Sequence, residues 1–422
     1  MTLPELKNEI AKAKTASKGL LSFDAKTRQR VLSRLAALLA KNSRSIIAAN
    51  QKDVREARRQ GEAASFFIER LLWDRKKIDA MAAATRSIAG ARDTLFETLE
   101  ERRRPSGLRI RKVRFPLGLI AMIYESRPNV TIDAFMLAFK SGNALLLKGG
   151  NEIRHTNAAL VALIHRALKA EGVHPDAVKD LSGLRKGLAI ELLHNESIDC
   201  LIPRGGQRLV SFVREHARVP VIITGAAVVH TYVDEDADST AAAKIICNAK
   251  TRSVSICNTL DVLLLHRKVA EKTLRLLVPA LAAHSVEIRA DSGSYRLLRG
   301  CGYPRLTHAK KSDYDTEFLD YILAVKIVGG FKEALQHIEA HSLGHSEAII
   351  TRSKERAAQF FRRIDAACLY LNTSTQFSDG EEFGMGGEIG ISTQKLHARG
   401  PFAAAELTTY KYLVESKGAV RK

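Results

Sequence analysis

A cysteine in a polar stretch is the strongest candidate for a nucleophile in this sequence. The stretch runs from Asn248 to Asn258 and reads Asn-Ala-Lys-Thr-Arg-Ser-Val-Ser-Ile-Cys-Asn, with Cys257 near its end. A helix-like run from Ala241 to Cys247 precedes it, and the apolar run Leu260 to Leu265 that follows suits a buried strand. Reactive groups are commonly held on loops between rigid elements, and thiolate is a strong nucleophile at neutral pH, so Cys257 is a candidate catalytic residue. A small buried cysteine with a packing role is the alternative.

The remaining cysteines indicate neither a disulfide framework nor a metal site. The chain has five cysteines with no CxxC pair, whereas disulfide frameworks and thiolate metal sites use paired thiols. The acidic, glycine-rich stretch Ser378 to Glu388 lacks the ligand spacing of a metal site. We therefore expect reduced thiols and no bound metal.

Length and composition indicate an ordinary globular protein of two or more domains. The chain has 422 residues, of which 45% are hydrophobic and 27% charged, and one core seldom serves a chain of this length. No apolar run approaches the ~20 residues of a membrane span. The N-terminal residues lack the apolar core of a signal peptide. We expect a cytoplasmic protein without a membrane partner.

The basic character of the chain leaves nucleic acid open as an alternative partner. Lys and Arg number 66 against 46 Asp and Glu, a formal net charge of +20, which favours polyanions and also attracts small anionic ligands. The basic residues are spread along amphipathic helices, and no tract interleaves them with aromatic residues. Solvated helix faces explain this distribution better, so we expect no nucleic-acid partner.

Strands and helices alternate from Leu117 onward. The apolar run Leu117 to Tyr124 predicts a strand, Thr131 to Lys140 a helix, Ala144 to Leu147 a second strand, and a further helix ends near Leu168. Such repeats imply a parallel sheet that binds ligands at the carboxyl ends of its strands. Further short strands are predicted at Asp199 to Ile202, Pro220 to Ile223 and His230 to Val233.

Two glycine-containing loops follow predicted strands of this sheet. They read Lys148-Gly149-Gly150 and Arg204-Gly205-Gly206. Where a strand ends and a helix begins, backbone N–H groups and the helix dipole favour phosphate, and the two basic residues add positive charge. Neither loop has a GxGxxG or Walker sequence, and Gly-Gly also occurs in simple turns. The pair of loops is consistent with a dinucleotide site.

A second alternating set follows Cys257 and predicts a second α/β domain. Its later strands are expected at Ile322 to Val328, Ala348 to Thr351 and Cys368 to Leu371. Outside both domains, Arg102 to Arg114 alternates charged and apolar residues as an exposed hairpin or arm would. The alternating run Leu407 to Val414 is predicted to pair with this arm, within the chain or between subunits.

Several motifs together resemble one known family. They are Phe115-Pro-Leu-Gly-Leu-Ile, Tyr124-Glu-Ser-Arg-Pro-Asn-Val-Thr-Ile-Asp133, Lys140-Ser-Gly-Asn143, Ile202-Pro-Arg-Gly-Gly206, Asn248-Ala-Lys-Thr251 with Cys257-Asn258, and Gly390-Ile-Ser-Thr-Gln-Lys-Leu-His-Ala-Arg-Gly-Pro401. Along nearly the whole chain the sequence resembles the γ-glutamyl phosphate reductases, or glutamate-5-semialdehyde dehydrogenases, of the aldehyde dehydrogenase superfamily. The resemblance implies NADPH-dependent reduction of γ-glutamyl phosphate to the semialdehyde in proline biosynthesis, with release of phosphate and through a cysteine thioester.

The resemblance also implies roles for individual residues. Cys257 is the expected nucleophile, and Asn129 with the Cys257 backbone N–H is expected to stabilise the oxyanion. The expected NADPH-binding residues are Ser126, Lys148, Gly149, Gly150, Arg204, Gly205 and Gly206. Candidates for binding the glutamyl end of the substrate are Arg127, Asn248, Lys250, Lys395 and Arg399.

An aldehyde dehydrogenase-like α/β fold with two parallel-sheet domains and a small β oligomerisation arm is implied as well. We expect an NADPH-binding domain at 1–236, with the arm at about 100–116, and a catalytic domain at 237–366. Residues 367–422 are expected to return to the cofactor domain and to form a C-terminal oligomerisation strand. The expected partners are a second copy of the chain, in a dimer or tetramer, and the glutamate kinase that supplies the acyl phosphate.

The chain departs from the relatives' pattern near the proposed site. Aldehyde-oxidising relatives carry a general-base glutamate in the loop that here runs from Ile223 to His230 without a carboxylate, which favours a reductase. The family's arginine, proline and small residue before the cysteine are here Ser253-Val254-Ser255, and the arginine of its Ser-Thr-Arg-Phe motif is Gln376. These changes motivate an alternative, a catalytically weakened paralogue that acts as a cofactor-binding or assembly subunit.

Overall fold

The computed structural model describes residues 1–59, 68 and 70–421. The chain forms two compact units. Unit 1 comprises Met1–Thr224, Gly384–Gly390 and Phe402–Lys422, and unit 2 comprises Gly225–Phe383 and Ile391–Pro401. Among the described helices, none combines the length and the apolar character that a membrane span requires.

The elements of each unit follow in chain order. The described helices of unit 1 are Leu3–Gly19 (α1), Ala25–Lys41 (α2), Ser43–Arg59 (α3), Arg75–Gly90 (α4), Asn129–Lys140 (α5), Arg154–Ala170 (α6), Lys186–His194 (α7) and Gln207–His216 (α8). The helices of unit 2 are Ser239–Thr251 (α9), Ala270–Ala283 (α10), Ser292–Gly300 (α11), Phe331–His341 (α12) and Lys354–Arg363 (α13). The strands are Thr98–Arg103 (β1), Arg109–Pro116 (β2), Leu119–Tyr124 (β3), Ala144–Gly149 (β4), Val178–Asp180 (β5), Cys200–Arg204 (β6), Val229–Val233 (β7), Leu260–His266 (β8), Glu287–Ala290 (β9), Leu306–His308 (β10), Ile322–Val328 (β11), Ser346–Ile350 (β12), Cys368–Leu371 (β13), Gly390–Ser392 (β14), Gly400–Phe402 (β15) and Thr408–Glu415 (β16).

Unit 1 contains a parallel sheet with strand order β5-β4-β3-β6. Its central strand β3 has no charged residue and is almost entirely buried, as a strand covered on both faces must be. Helix α5 follows β3 and is apolar on nearly all sides, with Ile132, Phe135 and Leu137 among its buried residues. The strand–helix alternation that the sequence predicted between residues 117 and 168 is confirmed.

Unit 2 contains a second parallel sheet, ordered β10-β9-β11-β8-β7-β12-β13. Successive side chains of β8 point to opposite faces, and each face has its own core. Leu263 and Leu265 pack in one cluster with Ile246 of α9 and Leu274 of α10. Val262 and Leu264 pack in the other cluster with helices α12 and α13. Burial on both faces explains why β8 has an apolar run rather than an alternating pattern.

The predicted arm is a separate antiparallel sheet of order β1-β2-β16. Strand β16 pairs with β2 along its whole length, from Thr408 opposite Pro116 to Glu415 opposite Arg109. The pairing that the alternating pattern predicted therefore forms within one chain. Tyr410, Tyr412 and Val414 are exposed at every second position of β16, which places them on one face of the sheet.

The division into compact units differs in two places from the domain boundaries expected from the sequence. Unit 2 begins at Gly225 rather than at 237, because β7 pairs with β8 and β12. It extends beyond 366 to Phe383, because β13 pairs with β12 at the edge of the same sheet. Both strands are short apolar runs, and nothing in their own residues indicates which sheet they join.

Two local predictions also need correction. The extended segment 220–223 bridges β6 only between Val221 and Leu201 and is not a full strand. The stretch after Cys247 is not all loop, since α9 continues to Thr251. The end of the helical lead-in, residues 60–67 and 69, lies outside the described residues.

Candidate active site

Three loops of unit 1 meet at one edge of its parallel sheet. In the strand register, Tyr124 at the end of β3 stands opposite Gly149 on β4 and Arg204 on β6. The residues that follow these three strands therefore lie at the same carboxyl edge, where parallel sheets bind ligands. The structure thus brings together the sequence-predicted cofactor residues Ser126, Lys148–Gly150 and Arg204–Gly206.

Two glycines at this edge, Gly149 and Gly205, leave little room for a side chain, whereas Gly206 does not. A Cβ atom at Gly149 would lie 2.1 Å from the Asn157 amide nitrogen, and one at Gly205 would lie 2.4 Å from a Glu125 carboxylate oxygen. At Gly206 the nearest such atom is 3.9 Å away, so the backbone there is open. Open backbone at the start of a helix is the arrangement that lets a phosphate approach N–H groups closely.

Backbone N–H groups at this edge already donate to carboxylates. Gly206 N, immediately before α8, donates to Glu125 Oε2 at 3.0 Å. Ser126, which has a φ of 48°, donates from its backbone N to Glu152 Oε1 at 2.7 Å. These N–H groups therefore bind anionic oxygen, and a dinucleotide phosphate at this edge would have to replace the glutamate oxygens. Sequence reasoning missed both glutamates, although Glu125 lies inside the Tyr124–Asp133 motif.

Basic side chains add positive charge to the same edge. Lys148 Nζ donates to Gly149 O at 2.8 Å, so its ammonium lies beside the β4 loop. Burial and repulsion by Arg204 together lower the pKa of Arg70, which places a second guanidinium in the electrostatic range of Arg204. No sequence motif includes Arg70. Its electrostatic interaction with Arg204 results from the fold alone.

Asn129 starts α5, directly after the β3 loop. Its Nδ2 donates to Asp133 Oδ2 at 2.9 Å, one helical turn later. Burial raises the pKa of Asp133 to about 6, against the opposing effects of the Asn129 hydrogen bond and the charge of Arg204. The hydrogen bond fixes the orientation of the Asn129 amide, and the second Nδ2 hydrogen can be donated to another acceptor.

Cys257 lies in the connection between α9 and β8 of unit 2, as expected from the sequence, and is half-buried. The next residue, Asn258, is buried and donates from Nδ2 to Ser378 O at 2.9 Å. The Thr259 hydroxyl donates to Ser253 O at 2.6 Å, which links the end of the connection to its start. The thiol thus lies on a short, well-anchored loop at the carboxyl end of a helix.

Gln376, which stands where the family has an arginine, is in contact with Arg252. Arg252 Nη1 donates to Gln376 Oε1 at 3.2 Å. Gln376 is buried and also contacts the backbone of the Cys257 connection. No sequence pattern marked this contact, because the two residues are far apart in the chain.

Lys250 does not fit the predicted role in substrate binding. It is 0% exposed, and its Nζ donates to Leu260 O at 3.0 Å. Burial lowers its pKa to about 8, although Asp261 and Asp320 favour the charged form. The continuation of α9 to Thr251 turns this side chain into the core beneath the Cys257 connection, so it holds the connection from inside.

The other residues predicted to bind the glutamyl end lie in three places. Arg127 is half-buried in the β3 loop of unit 1. Asn248 is exposed on α9 and lines a surface groove of about 440 Å³ together with Arg252. Lys395 and Arg399 both contact the Asp365 carboxylate, at 2.5 and 2.6 Å, and these bonds lower the pKa of Asp365.

In the described part of the chain, no group of three or more His, Cys, Asp or Glu side chains is arranged to hold a metal ion. Each unit offers its own chemistry: unit 2 has a thiol on an anchored loop, and unit 1 has a sheet edge with backbone N–H donors and an oriented amide. A thiol can form a covalent intermediate, and an oriented amide can stabilise an oxyanion.

Comparisons with known proteins identify relatives over the full length of the chain. Residues 2–294 match the model of the aldehyde dehydrogenase family. A γ-glutamyl phosphate reductase from Chlorobium luteolum is 45% identical over 423 residues and covers 100% of both chains. A γ-glutamyl phosphate reductase from Carboxydothermus hydrogenoformans is also 45% identical and covers 99% of this chain and 100% of its own.

Solved structures agree with these sequence relatives. The crystal structure of γ-glutamyl phosphate reductase from Thermotoga maritima superposes with a TM-score of 0.95 at 40% identity, covering 99% of this chain and 100% of that one. An acetylating aldehyde dehydrogenase from Geobacillus thermoglucosidasius, at 16% identity and a TM-score of 0.69, shares the fold. The chain belongs to the aldehyde dehydrogenase family and, within it, to the γ-glutamyl phosphate reductases.

Proposed function

We propose that this chain reduces γ-glutamyl phosphate to glutamate 5-semialdehyde with NADPH and releases phosphate, a step of proline biosynthesis. The observation that carries the proposal is the 45% identity, over the whole of both chains, to a relative named for that reduction. The half-buried thiol on the anchored α9–β8 connection supplies the residue that the reaction needs. Membership of the family implies a nicotinamide cofactor.

Cys257 would act as the nucleophile. Its thiolate attacks the carbonyl carbon of the acyl phosphate, a C–S bond forms, and phosphate leaves with the electrons of the C–O bond. A reduced nicotinamide, when bound, would supply the hydride that reduces the thioester. The C–S bond would then break, and Cys257 would be restored as the thiolate. The loop from Ile223 to His230 has no carboxylate, so it lacks the general-base glutamate that the resemblance assigns to this loop in aldehyde-oxidising relatives.

Asn129 would stabilise the negative charge that develops on the carbonyl oxygen. Its amide is already oriented by Asp133, so it does not have to reorganise when the charge appears. Loss of one such donor typically costs about 2.7 to 4 kcal/mol of transition-state stabilisation. The resemblance implies the Cys257 backbone N–H as a second donor.

The carboxyl edge of the unit 1 sheet would bind the cofactor. Gly205, Gly206 and the start of α8 would bind the pyrophosphate, with a phosphate oxygen taking the place of the Glu125 carboxylate at the Gly206 N–H. Ser126, Gly149 and Gly150 would contact the cofactor backbone, and Lys148 the adenosine ribose with its 2′-phosphate. Unit 1 is thus the proposed NADPH-binding domain and unit 2 the proposed catalytic domain. A lysine at the 2′-phosphate supports NADPH over NADH, because it can neutralise the additional charge.

Arg127, Asn248, Lys395 and Arg399 remain the proposed contacts for the glutamyl end. A homo-oligomer, dimer or tetramer, formed through the β1-β2-β16 arm is also proposed, and so is transfer of the acyl phosphate from a glutamate kinase. A cytoplasmic location remains a prediction from the sequence.

The proposed reaction can be tested in reverse. Purified protein supplied with glutamate 5-semialdehyde, phosphate and NADP⁺ should form NADPH, followed by its absorbance. Cys257→Ala should abolish this activity, because no other side chain is proposed to form the thioester. Cys301→Ala, at another half-buried cysteine, is the matched control and should leave turnover unchanged.

Absence of NADPH formation by the unsubstituted protein would contradict the proposal. Cofactor binding should be measured separately, by quenching of the single tryptophan, Trp73, or by calorimetry. Tight NADPH binding with no turnover would favour the alternative of a cofactor-binding or assembly subunit.

A further inference from the structure

The buried side chain of Gln376 holds the start of the connection that carries Cys257. Gln376 lies in the short turn after β13 and is 4% exposed. Its Nε2 donates to Ala249 O and to Ser253 O, each at 3.0 Å. The last carbonyls of a helix have no partner inside the helix, so the Gln376 amide satisfies one of them at the end of α9 and one in the loop beyond it.

The same turn also holds the far end of the connection. Thr375 Oγ1 donates to Asn258 O at 2.7 Å, and Asn258 Nδ2 donates to Ser378 O at 2.9 Å. Hydrogen bonds therefore hold both ends of the segment that includes Cys257 to residues 375–378. A shift of the hydrogen bonds at either end would move the thiol, because Cys257 directly precedes Asn258.

Arg252 completes the arrangement from the protein surface. Its side chain is exposed at one end, while Nη1 donates to Gln376 Oε1 at 3.2 Å. Both polar atoms of the Gln376 amide are thus hydrogen-bonded. The oxygen accepts from the Arg252 guanidinium, and the nitrogen donates to two carbonyls. An arginine at position 376 could not accept from Arg252, because guanidinium has no acceptor and the two charges would repel.

We infer that Gln376 and Arg252 are a positioning pair for the Cys257 thiol, a role that requires one amide and one guanidinium at these two positions. The inference rests on the proposed function in taking Cys257 as the nucleophile. Neither residue is assigned contact with the substrate. Their effect on the reaction is on the position of the sulfur.

Reciprocal exchange tests the pair directly. Gln376→Arg alone places two guanidiniums together, and Arg252→Gln alone places two amides together. The double variant again has one amide and one guanidinium, at exchanged positions. We expect Gln376→Arg to lower kcat by at least about tenfold, the loss typical of broken buried hydrogen bonds, with KM changed less. The double variant should recover most of that loss.

A second readout does not depend on turnover. The rate of Cys257 alkylation by iodoacetamide, followed by mass spectrometry of the peptide that contains it, reports how the thiol is presented. It should change in Gln376→Arg and return towards the original rate in the double variant. Gln359→Arg makes the same replacement at an exposed position on α13 and should change neither rate nor kcat.

Unchanged kcat and alkylation in Gln376→Arg, or a double variant no better than Gln376→Arg, would overturn the inference. Should Gln376→Arg fail to fold, the exposed Arg252→Gln variant is measured instead, and it should show a smaller loss of the same kind. If the unsubstituted protein lacks reductase activity, the proposed function fails, whereas the alkylation series still tests the pair.

Discussion

At the scale of single residues, the Asn129–Asp133 hydrogen bond links the proposed oxyanion donor to a group that titrates. Asp133 has its pKa raised to about 6 by burial, so its carboxyl is ionised at neutral pH and accepts from Asn129 Nδ2. Below that pH the carboxyl gains a proton. It can then donate to the Asn129 oxygen, and the amide is no longer fixed in one orientation.

We therefore expect kcat to fall as the pH drops through about 6. Asp133→Asn should lower kcat at pH 7.5 by about tenfold, because an amide partner permits either orientation of Asn129. The variant should also lack the inflection near pH 6. The measurement is kcat at saturating substrate between pH 5 and pH 8. An inflection that persists in Asp133→Asn would assign the titration to another group.

At the scale of elements, the sequence predicted most strands and helices of both sheets. Apolar runs such as Ile322–Val328 and Cys368–Leu371 became strands within the bounds expected, because burial on both faces requires a continuous apolar run. The assignment of strands to sheets failed for β7, which was expected in the first sheet, since the neighbour of a strand is set by distant residues. The same limit hid the contacts of Glu125 and Gln376.

Lys250 shows where local pattern is misleading for a site. Its neighbours Asn248 and Thr251 are polar, which favoured a loop, yet α9 continues and turns the lysine inward. A buried lysine with a lowered pKa makes the fold sensitive to pH. Its pKa is about 8 in the folded chain, against an ordinary value of 10.5. The unfolded chain therefore binds more protons between these values, and stability rises with pH there.

We expect the free energy of unfolding to rise between about pH 8 and pH 10.5 by on the order of 3 kcal/mol from this group. Lys250→Met removes the titrating ammonium and should lose that rise. Denaturant unfolding at several pH values, with the difference between the two proteins taken at each, isolates this contribution from other groups. Parallel curves for the two proteins would show that Lys250 titrates normally.

At the scale of the whole molecule, the exposed face of β16 is the feature that bears on assembly. Tyr410, Tyr412 and Val414 are 49%, 58% and 57% exposed on one face. Tyr412→Asp with Val414→Asp should therefore shift the proposed homo-oligomer to smaller species, because burying two carboxylates in an interface is costly. Light scattering after size exclusion measures the mass. Thr409→Asp, on the other face of β16, is the control, and equal masses for all proteins would exclude the arm as the contact.

The net charge of +20 belongs to the same scale. It is spread over many exposed helix faces, so any retention on a DNA column should be non-specific and should disappear as salt rises from about 50 to 200 mM. Retention that survives this range would revive nucleic acid as a partner.

The order of the units along the chain affects synthesis on the ribosome. Unit 1 contains both ends of the chain, and unit 2 is encoded within it. Strand β2 is made early, but its partner β16 is translated only after all strands of the unit 2 sheet. At typical rates of about 5 to 20 residues per second, β2 waits for on the order of 15 to 60 s. All strands of the unit 2 sheet have emerged before then, so this inner unit can reach its native state cotranslationally while the outer one is still incomplete.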